Sequence, residues 1–127
     1  MKILIIGLGS IGQRHLRNLY KINPKFKFIA VRKIFKVPIL TNSLKISKKT
    51  RNLREKYNIE YLRSLDLALK EKPDFAVICS PTSMHLDQTI KCLRKNVNVF
   101  IEKRLGHNKK NLDKLKKLLK NNNKFIS

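Results

Sequence analysis

Three glycines carry the first chemical signal. In the stretch KILIIGLGSIGQRHLRNL, residues 2–19, Gly7, Gly9 and Gly12 follow an apolar run and open a basic segment of helical pattern. The spacing G-x-G-x-x-G at a strand-to-helix turn suits a diphosphate. The first glycine makes the tight turn, the second lets backbone approach an anion where a side chain would collide, and the third lets the helix sit close on the strand. Ser10, Ile11 and Gly12 at the helix start add N–H groups without intrahelical partners, at the positive end of the helix dipole. About 20 residues further on, NAD-binding chains carry a carboxylate for the ribose hydroxyls; here that place reads Arg32-Lys33. A guanidinium pairs with a 2′-phosphate through two hydrogen bonds and stacks on adenine, so these residues favour NADP over NAD. Two more groups stand at the ends of later apolar runs: Ser80, Pro81, Thr82 and His85 in ICSPTSMH, and Glu102 with Lys103 in VFIEKR.

The elements that must position these residues are short and alternate. Strand patterns cover Lys2–Ile6, Phe26–Val31, Asp74–Cys79 and Asn98–Ile101, with a weaker one around Ile59–Tyr61 and a possible further start at Phe125–Ile126. Helical spacing runs through Ile11–Lys21, Ser64–Glu71, Ser83–Lys95 and Asn108–Asn121. In the first of these, Ile11, His15, Leu16 and Leu19 share one face; Ser64 and Asn108 are placed to cap the second and the fourth, and Pro73 stops the second. Residues 33–58 are basic, lack glycine and read as a loop followed by a helix near Thr50–Tyr57. Strands alternating with helices predict an α/β fold: a Rossmann-like, doubly wound, mostly parallel sheet with helices on both faces. Ligands of such sheets sit at the carboxyl ends of the strands, which is where all four groups fall.

Bulk properties narrow the class. A chain of 127 residues is read as one domain, 1–127, with a real core and little room for a second. No apolar run is long enough for a membrane helix, and the glycines interrupt the first run before any signal-peptide cleavage pattern, which points to a cytoplasmic protein. Cys79 and Cys92 lack metal-ligand spacing and read as buried thiols in a reducing compartment, so no metal is expected. The net charge of +22 attracts phosphates of any kind. Lysine is nevertheless spread along the whole chain, and no interleaving of aromatic and basic residues or known reading motif accompanies it, so specific nucleic-acid binding is not expected.

Taken together, GLGSIGQRHLRNL, KPDFAVICSPTSMH and VFIEKRL resemble the Gfo/Idh/MocA family of NAD(P)-dependent oxidoreductases, in order and spacing along nearly the whole chain. The resemblance implies a Rossmann domain holding NADP or NAD. It implies that Pro81, Thr82 and His85 line the nicotinamide side, that Glu102 contacts the nicotinamide ribose, and that Lys103 sits at the hydride-transfer site and orients or polarises the substrate oxygen. An ammonium suits that last role because it stabilises negative charge building on a carbinol oxygen. The substrate class it implies is a sugar or cyclitol.

Two departures from the family pattern stand out. A proline follows the Glu-Lys pair in the family signature, and Arg104 stands there in this chain. The fixed φ and the restraint on the preceding residue are thereby lost, and a cation is added beside the lysine. Family members also continue into a substrate-binding α/β domain, whereas this sequence stops at NNNKFIS. The sequence therefore predicts a cofactor domain lacking the C-terminal substrate domain, truncated near its last strand and not catalytically complete alone. The alternative is a standalone NADP(H)-binding or regulatory module, with an open sheet edge that could support a homo-oligomer.

Overall fold

The computed structural model describes residues 1–32, 39, 40, 46, 52–102 and 109–121. Its order is β1 (Lys2–Ile6), α1 (Ser10–Ile22), β2 (Lys27–Val31), α2 (Leu53–Tyr57), β3 (Ile59–Leu62), α3 (Leu65–Lys70), β4 (Phe75–Ile78), α4 (Thr82–Arg94), β5 (Asn98–Ile101) and α5 (Lys109–Asn121). The five strands form one sheet in the order β3-β2-β1-β4-β5, and every pairing is parallel. The direction of winding reverses at β1, between β2 on one side and β4 on the other. The predicted doubly wound sheet is present, and the weak strand signal at Ile59–Tyr61 is its edge strand β3. The suggested strand start at Phe125–Ile126 and the Asn108 cap lie outside the described residues.

The apolar runs are continuous because both sheet faces are covered. Successive side chains of a strand point to opposite faces. Ile3 and Ile5 of β1 join Leu8, Leu16, Phe28, Ala30, Tyr57 and Tyr61 in a core on the α1 side. Leu4 and Ile6 join Ile29, Ala76, Ile78, Leu86, Ile90, Leu93 and Val99 on the α4 side. Leu112, Leu115 and Leu118 of α5 close the second core from outside. Register is set by these faces: Ile3 lies opposite Phe28 on one side and Phe75 on the other. A slip of one residue would turn every apolar side chain to the wrong face.

Turn chemistry ends the helices where the sequence places polar residues. Asn58 takes a left-handed conformation, φ 49°, after α2, and Asn96 does the same, φ 60°, after α4. Asparagine tolerates this region better than most residues. Ser64 Oγ accepts from the Leu67 N–H at 3.2 Å and caps α3 as its position predicts. Asn52 Oδ1 does the same for α2, accepting from the Glu55 N–H at 3.0 Å.

Gln13 is a buried polar residue, 1 % exposed, on the sheet-facing side of α1. Its Nε2 donates to the Leu8 carbonyl at 3.2 Å, and its Oε1 accepts from the Leu40 N–H at 2.8 Å. Arg17 Nη1 donates to the Leu40 carbonyl at 2.9 Å. One side chain thus ties the glycine-rich turn to the chain that follows β2. Gln13→Leu keeps the bulk but leaves a buried carbonyl and an N–H unpaired, an expected loss of about 1–3 kcal/mol. Urea unfolding should show a lower midpoint at unchanged slope.

Candidate functional site

The turn from β1 into α1 is built by close backbone contacts. Gly7 has φ +99°, a region that disfavours side chains, and a Cβ on it would lie 2.8 Å from the carbonyl carbon and oxygen of Cys79 and from the Ser80 nitrogen. A Cβ on Gly12 would lie 1.8 Å from the Gly7 carbonyl oxygen. Gly9 differs from both. Beyond its chain neighbours, none of the described residues lies within 4 Å of where its Cβ would be. Its backbone is extended, and it stands at the N-cap of the 13-residue α1 with no side-chain cap and no acidic residue in the first turn. Gly7 and Gly12 are required by the protein's own packing, whereas Gly9 keeps a space open over the N–H groups of Ser10, Ile11 and Gly12. That uncapped, positive end with room above it fits a diphosphate.

The turn after β4 meets the same place. The Cys79 N–H donates to the Ile6 carbonyl at 2.8 Å, which carries the β1–β4 ladder up to Gly7. Ser80 Oγ donates to Gln88 Oε1, and His85 Nε2 is hydrogen-bonded to the Ser80 carbonyl. His85 is buried at 2 % exposure, so in this fold it holds the Ser80 turn from beneath. Pro81 is the N-cap of α4, which also begins without a side-chain cap or an acidic first turn. Pro81 and Thr82 are exposed on the rim. Two helix N-termini thus converge on the crevice where the winding reverses.

Glu102 follows β5, with its N–H donating to the Ile78 carbonyl at 3.0 Å. Strand alternation places Phe100 on the α1 side of the sheet. His15 of α1 meets it edge-on at 5.3 Å between ring centroids, and His15 Nε2 lies 2.8 Å from Glu102 Oε2. Both side chains of the pair are 25 % exposed. Sequence reasoning counted His15 only as a position on an apolar face. The signal it missed is a titratable ring one helical turn after Gly12, with a carboxylate ending a strand on the same rim.

Arg32 continues β2 by one residue, its N–H donating to the Leu62 carbonyl at 2.8 Å. Its Nε is shut off from solvent and has no hydrogen-bond partner among the described residues. Burial pushes the neighbouring Tyr61 phenol up, while the Arg32 and Arg54 charges pull it the other way. Lys33, Lys103 and Arg104 lie outside the described residues.

The thiols are quiet. Burial, with the Glu102 carboxylate adding to it, pushes Cys79 up to about 11. Burial pushes Cys92 up to about 12. Both are protonated at neutral pH and are poor nucleophiles. Among the described residues no group of three or more His, Cys, Asp or Glu could hold a metal ion, and no helix is long and apolar enough to cross a membrane. A groove of about 960 Å³ opens at the opposite rim, past the N-terminal ends of β2 and β3, lined by Lys27, Tyr20, Tyr57 and Arg54 among others. Neither the glycine-rich turn nor Arg32, Ser80, Pro81, Thr82, His85 or Glu102 borders it. The candidate site is defined by backbone geometry at the strands' carboxyl ends, where parallel sheets bind ligands.

Comparison with known proteins agrees with the fold. The model of the Gfo/Idh/MocA family, described as an oxidoreductase family with an NAD-binding Rossmann fold, matches residues 1–127. A myo-inositol 2-dehydrogenase of Thermotoga maritima is 29 % identical over 117 residues, covering 91 % of this chain and 31 % of the relative. The crystal structure of a myo-inositol 2-dehydrogenase from Lactobacillus plantarum superposes with a TM-score of 0.75 at 27 % identity, covering 100 % of this chain and 35 % of that one. The WlbA dehydrogenase from Bordetella pertussis, solved with NADH and UDP-GlcNAcA, shares the fold at a TM-score of 0.73 and 15 % identity, over 100 % of this chain and 37 % of its own. The chain therefore spans about a third of the length of the proteins it matches.

Proposed function

Because the chain belongs to the Gfo/Idh/MocA oxidoreductase family, we propose that its rim holds NADP in preference to NAD and serves a sugar or cyclitol oxidoreductase. The cofactor accepts or donates the hydride exchanged with a carbinol or carbonyl carbon. This chain's residues bind and orient it. Ser10, Ile11 and Gly12 offer backbone N–H groups to the diphosphate over Gly9. Arg32, with Lys33 beside it, takes the 2′-phosphate. Ser80, Pro81 and Thr82, braced by His85, line the nicotinamide side, and Glu102 accepts from ribose hydroxyls. Lys103 stands beside the substrate oxygen, with Arg104 as a second cation.

The observation that carries the reading is the open space at Gly9. Where Gly7 and Gly12 are pressed against backbone, the middle glycine has none of the described residues beyond its chain neighbours within 4 Å of its Cβ position, at the N-cap of a helix with no side-chain cap. A turn needed only for folding has no reason to keep that cradle clear. The NADP preference rests on the buried, unpartnered Arg32 Nε and on the absence of a carboxylate at the end of β2. A cytoplasmic location belongs to the same proposal, supported by two cysteines that are not joined in a disulfide.

The test is a parallel fluorescence titration with NADPH and NADH at fixed salt, on the native chain and on Arg32→Ser. NADPH should bind tighter, and Arg32→Ser should remove about tenfold of that preference, the value of one charge-assisted contact. Equal or tighter NADH binding by the native chain would end the NADP assignment. Retention of neither nucleotide at millimolar concentration would end the cofactor assignment altogether.

A further inference from the structure

We propose that His15 is a positioning residue for Glu102, fixing its carboxylate so that it addresses the ribose next to the nicotinamide. The inference rests on the dinucleotide reading above and extends it to a side chain on a different element. Two contacts hold Glu102, and a third steadies its partner. Its backbone is pinned to β4 through the Ile78 carbonyl at 3.0 Å. Its Oε2 is 2.8 Å from His15 Nε2. The imidazole is itself steadied by Phe100, edge-on at 5.3 Å and 63°. With Oε2 engaged, Oε1 is the oxygen left without a hydrogen bond among the described residues, on a carboxylate 25 % exposed at the crevice.

Stability alone does not account for this arrangement. A partly exposed histidine–carboxylate contact between two elements contributes little to folding. A carboxylate that must accept hydrogen bonds from a diol gains from having one rotamer enforced, because the ordering cost is met before the ligand arrives. His15 does this from α1, the same helix whose start faces the diphosphate. The pair therefore links the two ends of the dinucleotide site through one rigid element, at a sequence separation of 87 residues.

Ligands that differ by a single ribose separate this role from a structural one. Calorimetric titration with NADPH, ADP-ribose and ADP is run on the native chain, His15→Ala, Glu102→Ala and the double variant. ADP-ribose carries the second ribose and ADP does not. The native chain should prefer ADP-ribose to ADP, and His15→Ala should weaken NADPH and ADP-ribose about tenfold while ADP changes less than about twofold. Glu102→Ala should have the same selective effect, and the double variant should lose no more than either single one, as expected for residues acting as a unit.

Equal loss of ADP affinity in His15→Ala would assign the histidine to holding α1 in place and overturn the proposal. So would unchanged ADP-ribose binding, additive losses in the double variant, or a native chain that does not distinguish ADP-ribose from ADP. A native chain that binds none of the three ligands removes the dinucleotide reading itself, an outcome distinct from a native chain that binds them while the variants show no selective loss.

Discussion

Gly12→Ala will cost the protein about 3 kcal/mol or more, a large share of the stability of a domain this size. The added methyl group would sit 1.8 Å from the Gly7 carbonyl oxygen and 2.9 Å from its carbon. No rotamer change relieves this, because the obstacle is backbone. Either α1 lifts from the sheet, exposing Leu16 and the Gln13 bonds, or the Gly7 turn moves. The turn is itself pressed against Cys79 and Ser80, where a Cβ on Gly7 would meet backbone at 2.8 Å. Thermal unfolding followed by circular dichroism should show a midpoint lower by roughly 10 °C or more. A midpoint within two or three degrees of the native one would mean that the helix is free to shift, and that its close seating is not set by this glycine.

Gly9→Val should do the reverse, sparing the fold and abolishing the ligand. The Gly9 backbone lies at φ −72° and ψ −168°, which any residue adopts, and its Cβ position is open. The expected stability change is within about 1 kcal/mol, mostly the poorer N-cap. Valine would, however, fill the space over the first N–H groups of α1. Losing two charge-assisted hydrogen bonds weakens dinucleotide binding by about 100-fold or more. The pair of variants forms a crossed test in which stability and affinity fall in different proteins. A Gly9→Val chain that keeps native affinity for NADPH would show that the diphosphate does not lie there.

Much of this was legible in the sequence because the core is two-sided. Runs such as Lys2–Ile6 and Phe75–Ile78 are apolar without alternation, as strands covered on both faces must be. The edge strand β3 gave a weaker signal for a physical reason: its burial alternates, with Glu60 exposed, and it is four residues long. The glycine spacing indicated the turn and the separate jobs of its three glycines, and the close backbone contacts at Gly7 and Gly12 match the first and third of them. His15 and Gln13 were illegible as functional or structural polar groups. Helical periodicity records which face a residue is on, not that a carboxylate 87 positions away will end a strand beside it. The position of Arg32 at the end of β2 was readable because a strand end is a local feature.

The place of β1 in the sheet has a consequence for how the chain comes to be folded. The first strand synthesised is the central one, flanked by β2 and β4. Its second edge stays unpaired until Phe75–Ile78 has emerged, and the Lys2 N–H waits for Asp74 Oδ2, 2.7 Å away in the finished fold. Contacts of such high order close slowly, and an open apolar edge invites pairing with other chains meanwhile. During translation β1 thus keeps one apolar edge open over the whole interval between its own synthesis and that of β4.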